Sequence, residues 1–171
     1  MPLQNNQTVP LQNPYANGNA WMIDHISYVD NANQEIDKVG KIDLLHEAVA
    51  DKKFKEILGT SQKQGDGSSV TLKKYEPNQL EYDVRTSAGG VVVFSEIYYP
   101  EWTATVDGKE VPVGRVNYIL RAISVKPGNH KVVLSFMPKS VDTTETIAYI
   151  SFAVLIIAVL FVVFFEWRKK K

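Results

Sequence analysis

Short stretches of alternating apolar and polar residues dominate the middle of the chain and predict a mainly β, antiparallel domain. Residues 80–85 alternate with a period of two, as a strand does when one of its faces is buried. Residues 91–94 are apolar on both faces, which predicts a central strand covered on both sides. Strands of this length, separated by turn residues between positions 70 and 138, are typical of a β-sandwich or jelly-roll.

Four turn signals divide this region: Pro77-Asn78, Gly89-Gly90, Asp107-Gly108 and Pro127-Gly128-Asn129. The second predicts a hairpin between residues 80–85 and residues 91–94, because paired glycines permit the positive φ of a tight reversal. The third predicts a hairpin whose returning strand, at 111–113, is an edge strand, because Pro112 cannot donate a hydrogen bond. The fourth predicts a last hairpin between residues 118–125 and residues 130–136.

The N-terminal third has a different pattern. Residues 21–29 alternate loosely as a strand does. Asn31, with Gln34 three residues later, predicts the capped start of a short helix over 32–39 that Gly40 ends. Asp51 predicts the start of a second short helix, which Gly59 ends. The Gln-, Gly- and Ser-rich stretch that follows predicts a flexible loop.

Residues 147–165 form an unbroken apolar run of about 19 residues, long enough to cross the hydrocarbon core of a bilayer. A basic cluster, residues 168–171, follows the run, whereas Lys139 is the nearest cation on the other side. The positive-inside bias therefore predicts a cytoplasmic tail and an extracytoplasmic β domain. The alternative is a tail-anchored protein with a cytosolic β domain, which opposes that bias.

The beginning of the sequence has neither a charged start nor an apolar stretch, so we find no signal peptide in it. Because an exported domain needs a preceding membrane segment or signal, we expect an upstream part of a longer protein. The predicted organisation is an N-terminal strand and short helices packing on the β domain (1–69), a β core (70–138), a juxtamembrane linker (139–146), a transmembrane helix (147–167) and a basic tail (168–171).

Composition excludes several classes of function. Lysine plus arginine equals aspartate plus glutamate at 19 each, and without the basic tail the rest is mildly acidic, which disfavours nucleic-acid binding. The chain has no cysteine, and its three histidines have no ligand spacing, so we predict neither a metal site nor a cofactor. Asp24, His25 and Ser27 do not form a relay, because adjacent strand residues point to opposite faces.

Two groups of residues are candidates for binding. Carboxylates that hold hydroxyls and aromatic rings that stack on sugar faces suggest a carbohydrate site formed by Glu96, Tyr98, Tyr99 and Trp102. The structural alternative places these rings in the core and the acid at its edge. Arg115 and Arg121 suit an anion or a lipid head group, although exposed strand arginines commonly shield an edge or pair with acids.

An ordered series of segments resembles the C-terminal region of the YfhO family of bacterial membrane proteins. The series comprises SEIYYPEW (95–102), DGKE (107–110), GRVNYILRA (114–122), PGNH (127–130), Asn13-Pro14, GNAW (18–21) and the terminal apolar helix. The chain departs from the family's usual pattern at Asn17 and Glu101.

The resemblance implies a large polytopic protein of the plasma membrane, similar to GT-C glycosyltransferases, which use lipid-linked sugars to modify envelope polymers or lipids. This chain then corresponds to the last exported β domain and the final helix. No catalytic residue is carried over, because the catalytic acid of that class lies in an early loop. The implied partners are the bilayer, upstream helices of the same protein and an envelope glycan or lipid-linked sugar.

Two other functions remain open from the sequence. One is a stand-alone membrane-anchored binding, adhesion or scaffold module. The other is an autonomous glycosidase that uses the carboxylates near Trp102.

Overall fold

The computed structural model describes residue 13 and residues 16–65 and 67–169. Lys170 and Lys171 of the predicted tail, Pro14 and residues 1–12 lie outside the described residues. The strands are β1 Ala20–Met22, β2 His25–Val29, β3 Glu47–Asp51, β4 Ser69–Glu76, β5 Gln79–Thr86, β6 Gly90–Ile97, β7 Trp102–Val106, β8 Lys109–Val111, β9 Gly114–Val116, β10 Leu120–Val125 and β11 Gly128–Phe136. The helices are α1 Ala32–Val39, α2 Lys55–Leu58, which a 3₁₀ turn precedes at Lys52–Phe54, and α3 Lys139–Lys169.

The strands form two antiparallel sheets and a small parallel pair. The first sheet has the order β1-β6-β10-β9 and the second the order β4-β5-β11-β7-β8, whereas β2 pairs with β3 in parallel. The prediction of a mainly β, antiparallel fold with short helices and one apolar C-terminal helix is confirmed.

Strand β6 is covered on both of its faces, as its apolar sequence predicts. Val92 and Phe94 belong to a buried cluster that also contains β5 and β11 residues of the other sheet. The rings of Phe94 and Tyr82 meet there edge to face at 5.0 Å. Val91 and Val93 belong to a second cluster, formed with β2, β3 and the short helices. The N-terminal third therefore supplies the outer cover of the first sheet.

Two predicted hairpins are wrong, because their turns carry the chain from one sheet to the other. β5 pairs with β11, and β6 pairs with β10, so neither Gly89-Gly90 nor Pro127-Gly128-Asn129 joins paired strands. The two connections run side by side as arches, since Thr86 is opposite Gly128 and Gly90 is opposite Val125. Gly89 has φ +71°, and a Cβ on it would lie 2.8 Å from the Val125 carbonyl oxygen, so the close approach of the arches requires glycine.

The other turn signals are confirmed. Pro77-Asn78 lies between the paired strands β4 and β5. Asp107 and Gly108, both with positive φ, join β7 to β8. β8 is the last strand of its sheet, as the proline after it predicts.

The short helices begin and end as predicted. Asn31 Oδ1 accepts a hydrogen bond from Gln34 N at 3.0 Å at the start of α1, and Gly40 follows its end. Asp51 Oδ1 accepts one from Lys53 N at 3.0 Å, and Gly59, with φ +65°, ends α2.

The strand predicted at 21–29 is divided into two. β1 joins the first sheet beside β6, whereas β2 pairs with β3, a strand that the pattern did not predict. β9 was not predicted either. β3 pairs with residues 22 positions earlier in the chain, so no local turn signal marks it. β9 instead forms a tight hairpin with β10, and the turn between them contains Asn117 and Tyr118, both with positive φ.

Helix α3 is longer than the apolar run, since it begins at Lys139. Residues 139–146, predicted as a linker, are therefore its first two turns. The part from Thr143 to Lys169 is long and apolar enough to cross a membrane, and it is exposed along its length.

The two sheets have distinct ends. Both arches lie at one end, because β5 and β10 finish there and β6 and β11 begin there. β6 and β11 finish at the opposite end, from which the chain continues into α3. We call these the arch end and the helix-proximal end.

His130 ties the β7–β8 turn to the arch end. Its Nδ1 lies 2.7 Å from Asp107 Oδ2, and its Nε2 lies 2.9 Å from the Lys126 carbonyl oxygen. Both partners are acceptors, so only the doubly protonated ring donates both bonds. The hydrogen bond to Asp107 accordingly raises the pKa of His130 above its usual value, and the same bond lowers the pKa of Asp107.

This arrangement predicts that the His130 interaction weakens as the pH rises. A histidine with a raised folded-state pKa adds stability fully below its unfolded pKa of about 6.5, and that stability is lost as the pH rises through the folded-state pKa. We expect His130→Gln to lower the thermal unfolding midpoint most near pH 5.5 and least above pH 8. His25→Gln is the control, since His25 is exposed and its ring lies 3.2 Å from the hydroxyl of Ser27, a neutral group. A pH-independent difference between wild type and His130→Gln would contradict this.

Candidate functional site

Glu96, Arg121 and Trp102 meet at the helix-proximal end of the two sheets. Arg121 Nη2 donates a hydrogen bond to Glu96 Oε2 at 3.2 Å. The guanidinium carbon of Arg121 lies 3.9 Å from the centroid of the Trp102 ring, close enough for a cation–π interaction. Strands β6, β7 and β10 each supply one of these groups. The site thus spans both sheets.

The ion pair is asymmetric in its burial. The Arg121 side chain is 2% exposed, whereas that of Glu96 is 27% exposed. Burial lowers the pKa of Arg121, while the carboxylate of Glu96 acts to raise it. The buried guanidinium of Arg121 therefore binds the inner side of the Glu96 carboxylate, whose other side reaches solvent. The hydrogen bond from Arg121 orients that carboxylate.

Several donors near this pair are unsatisfied. Arg121 Nε and Nη1 and the Tyr82 hydroxyl are buried and have no hydrogen-bond partner among the described residues. Burial, followed by the charge of Glu96, raises the pKa of Tyr82 to about 12, so its hydroxyl stays protonated at neutral pH. Unpaired buried donors destabilise a fold, and such features concentrate at functional sites.

An aromatic group continues the site toward solvent. The Phe136 ring lies 5.4 Å from Trp102 and 5.9 Å from Tyr99, between ring centroids. Tyr99 is 52% exposed, whereas the guanidinium of Arg121 covers one face of the Trp102 ring. Tyr99 is therefore the solvent-exposed ring of this aromatic group.

The structure separates the remaining predicted site residues. Tyr98 packs edge to face on Phe54, at 5.7 Å, beside the second buried cluster. Arg115 lies opposite Arg121 in the β9–β10 pair, yet the two guanidinium groups bind different carboxylates. The four residues predicted to bind a sugar therefore do not lie together, because Tyr98 is separated from the others. Arg121, predicted as part of a different group, lies between Glu96 and Trp102.

Arg115 belongs to a network that the sequence analysis missed. Glu35 of α1 is fully buried and accepts hydrogen bonds from Arg115 Nη2 at 2.7 Å and from Tyr118 N at 2.8 Å. Arg115 Nη1 donates to the Tyr118 carbonyl oxygen at 2.6 Å. No local signal identifies Glu35, because its partners lie about eighty residues away.

The described residues contain no group of three histidines, aspartates or glutamates arranged to hold a metal ion. Asp24 contacts His46, at 2.8 Å, rather than His25. The helix-proximal site combines an oriented carboxylate, a buried cation and an exposed ring.

Comparison with models of protein families gives a match to a family of bacterial membrane proteins. A family model described as "Bacterial membrane protein YfhO" matches residues 45–148, which is more than half of the chain. The match extends from the residues before β3 into α3. No curated protein and no solved structure matches the chain.

Proposed function

Because the chain belongs to the YfhO family of bacterial membrane proteins, we propose that it is the extracytoplasmic β domain and last membrane anchor of a larger protein of that family. In this proposal the whole protein transfers lipid-linked sugars to envelope polymers or lipids. The chain itself is not catalytic. It presents a binding site beside the upstream transmembrane helices, which carry the chemistry.

The position of the Glu96–Arg121–Trp102 site is the observation that carries this proposal. The site lies at the helix-proximal end, from which two residues, Met137 and Pro138, lead to α3. A lipid-linked sugar is confined to the membrane surface by its lipid. Such a sugar would therefore contact the β domain at the end nearest the membrane anchor.

The roles of the site residues follow from their exposure. Glu96 accepts hydrogen bonds from sugar hydroxyls, since its carboxylate reaches solvent. Tyr99 stacks on a sugar face through its exposed ring. Arg121 is a positioning residue, because its buried guanidinium fixes the carboxylate of Glu96.

The orientation in the membrane is part of the proposal. Arg168 and Lys169 end α3, and Lys170 and Lys171 follow in the sequence. Cationic residues favour the cytoplasmic side. On this basis we propose that the tail lies in the cytoplasm and the β domain outside the plasma membrane.

The proposal predicts that Glu96→Gln weakens sugar binding. The test uses the full chain in lipid nanodiscs and measures its affinity for a polyprenyl-phosphate-linked hexose by microscale thermophoresis. We expect an affinity loss of about tenfold, because a hydrogen bond to a charged group contributes about 1.5–3 kcal/mol and one to a neutral amide about 0.5–1.5 kcal/mol, and a difference of about 1.4 kcal/mol is tenfold. Tyr99→Ala should weaken binding as well without disturbing the core, since its ring is exposed.

Asp83→Asn is the matched control, because it removes the same charge from an exposed position on β5. Its affinity should equal that of the wild type. Equal affinities for folded Glu96→Gln and the wild type would reject the site. Binding of a soluble envelope glycan but not of the lipid-linked sugar would favour the stand-alone binding or adhesion module.

A further inference from the structure

Exposed apolar side chains are concentrated at the helix-proximal end. Eight large hydrophobic side chains that precede α3 are exposed in the described part of the chain, and six of them lie at this end. We call these six the apolar rim: Tyr75, Ile97, Tyr99, Tyr118, Ile119 and Met137. Exposed apolar residues scattered singly need no explanation, but a cluster marks an interaction surface.

The rim is held by the fold. Ile97 is the last residue of β6 and pairs with Leu120, and Tyr98 N donates to the Ile119 carbonyl oxygen at 2.6 Å. Phe136 N donates to the Asn78 carbonyl oxygen at 2.9 Å, which fixes the β4–β5 turn beside the end of β11. Backbone hydrogen bonds therefore fix the segments that carry the apolar side chains.

The length of the connection determines what the rim can reach. Met137 and Pro138 alone separate β11 from α3. The part of α3 that is long and apolar enough to cross a membrane, Thr143–Lys169, has 27 residues, or about 40 Å of helix, which matches a bilayer including its head groups. Lys139 then lies about one turn, or roughly 6 Å, outside the head groups.

We propose that the apolar rim rests on the head-group layer of the bilayer that α3 crosses, so that lipid binds the β domain at a second point. Tyrosines and aliphatic side chains suit this layer, because tyrosine has an apolar ring and a polar end. The contact holds the Glu96–Arg121–Trp102 site against the membrane surface. It depends on α3 spanning the bilayer and not on any sugar ligand.

The charges at this end indicate an apolar contact. Lys74 pairs with Glu76 at 3.0 Å, Arg115 with Glu35 and Arg121 with Glu96. These three cations are already paired with carboxylates, so they contribute little to any attraction to anionic lipid. The contact should therefore persist at high salt and on zwitterionic lipid.

The cysteine-free chain allows a direct test in its full-length form. Ile97→Cys and Ile119→Cys, each labelled with an environment-sensitive fluorophore, are reconstituted in phosphatidylcholine vesicles with and without a nitroxide on the lipid head group. We expect blue-shifted emission, weak quenching by iodide and strong quenching by the nitroxide lipid. All three should be unchanged by 0.3 M salt, because salt screens attraction between charges and does not screen an apolar contact.

Ser87→Cys at the arch end is the control, and its label should be quenched by iodide and not by the nitroxide lipid. Rim labels that behave as the Ser87 label does would overturn the proposal. Rim labels that are protected from both quenchers, with protection lost as the protein is diluted in lipid, would assign the rim to a second copy of the chain and would also overturn it.

Discussion

Glu35→Ala should lower the free energy of unfolding of the β domain by about 3 kcal/mol, because it leaves a largely buried arginine without its carboxylate. The Arg115 side chain is 20% exposed and Glu35 is fully buried. Removing one partner of a buried pair typically costs about 3–5 kcal/mol, and the partial exposure of Arg115 favours the lower value.

A strained segment adds to the expected loss. Asn117 and Tyr118 are consecutive residues with φ of 49° and 72°. Residues other than glycine rarely adopt a positive φ. Asn117 is held by a pair of hydrogen bonds to the backbone of Val49, at 2.7 and 2.9 Å. Tyr118 is held by the bond from its backbone N to Glu35. Glu35→Ala removes one of these restraints.

The measurement is urea unfolding of the full chain in nanodiscs, followed by tryptophan fluorescence. Asp37→Ala is the control, because Asp37 lies on the same helix and is exposed. Glu35→Gln should fall between the two, since an amide oxygen still accepts a hydrogen bond. If Glu35→Ala costs no more than Asp37→Ala, the buried network does not stabilise the fold.

Elements set by local chemistry could be predicted from the sequence. Asn31 and Asp51 mark helix starts because their side chains accept hydrogen bonds from backbone N–H groups two or three residues on. Asp107-Gly108 marks a hairpin because both residues adopt positive φ. In each case the interacting atoms are neighbours in the chain, so the pattern contains the information.

The pairing of strands could not be predicted in the same way. Turn residues specify that the chain reverses, but not whether the next strand returns to the same sheet. Gly89-Gly90 and Pro127-Gly128-Asn129 were therefore interpreted as hairpins although both are arches. Gly89 serves the packing of one arch against the other, because a Cβ on it would lie 2.8 Å from the Val125 carbonyl oxygen. That contact joins segments about forty residues apart, so no local pattern marks it.

The candidate site was predicted in part. Glu96 and Trp102 were grouped because acids and rings together suit sugars, and the structure brings them together around Arg121. Tyr98 and Tyr99 were grouped as well, yet they contact Phe54 and Phe136, in different parts of the domain. The tendency of neighbouring residues in extended backbone to point in opposite directions would have separated them.

The energetics of Arg121 support a functional role for the site. Two of its buried nitrogens, Nε and Nη1, have no hydrogen-bond partner among the described residues, and a buried arginine of this kind is weak evidence for stability. An apolar residue of similar size would pack between the sheets without that desolvation. The buried charge therefore costs the fold stability, and the binding test of Glu96→Gln addresses whether this position serves a ligand.

The account as a whole depends on which side of the membrane carries the β domain, and one measurement tests this most directly. Ser87 is exposed and lies at the arch end, away from α3. A single cysteine at Ser87, in a chain without other cysteines, reports the side through its reaction with a membrane-impermeant thiol reagent in intact bacterial cells.

The proposed topology predicts that the Ser87→Cys variant is labelled in intact cells to the same extent as after lysis, because an extracytoplasmic domain is open to the reagent. A cysteine in the cytoplasmic tail is the control and should react only after lysis. Labelling at Ser87 that requires lysis would place the β domain in the cytoplasm, as in a tail-anchored protein, and would contradict a role in transferring sugars outside the cell.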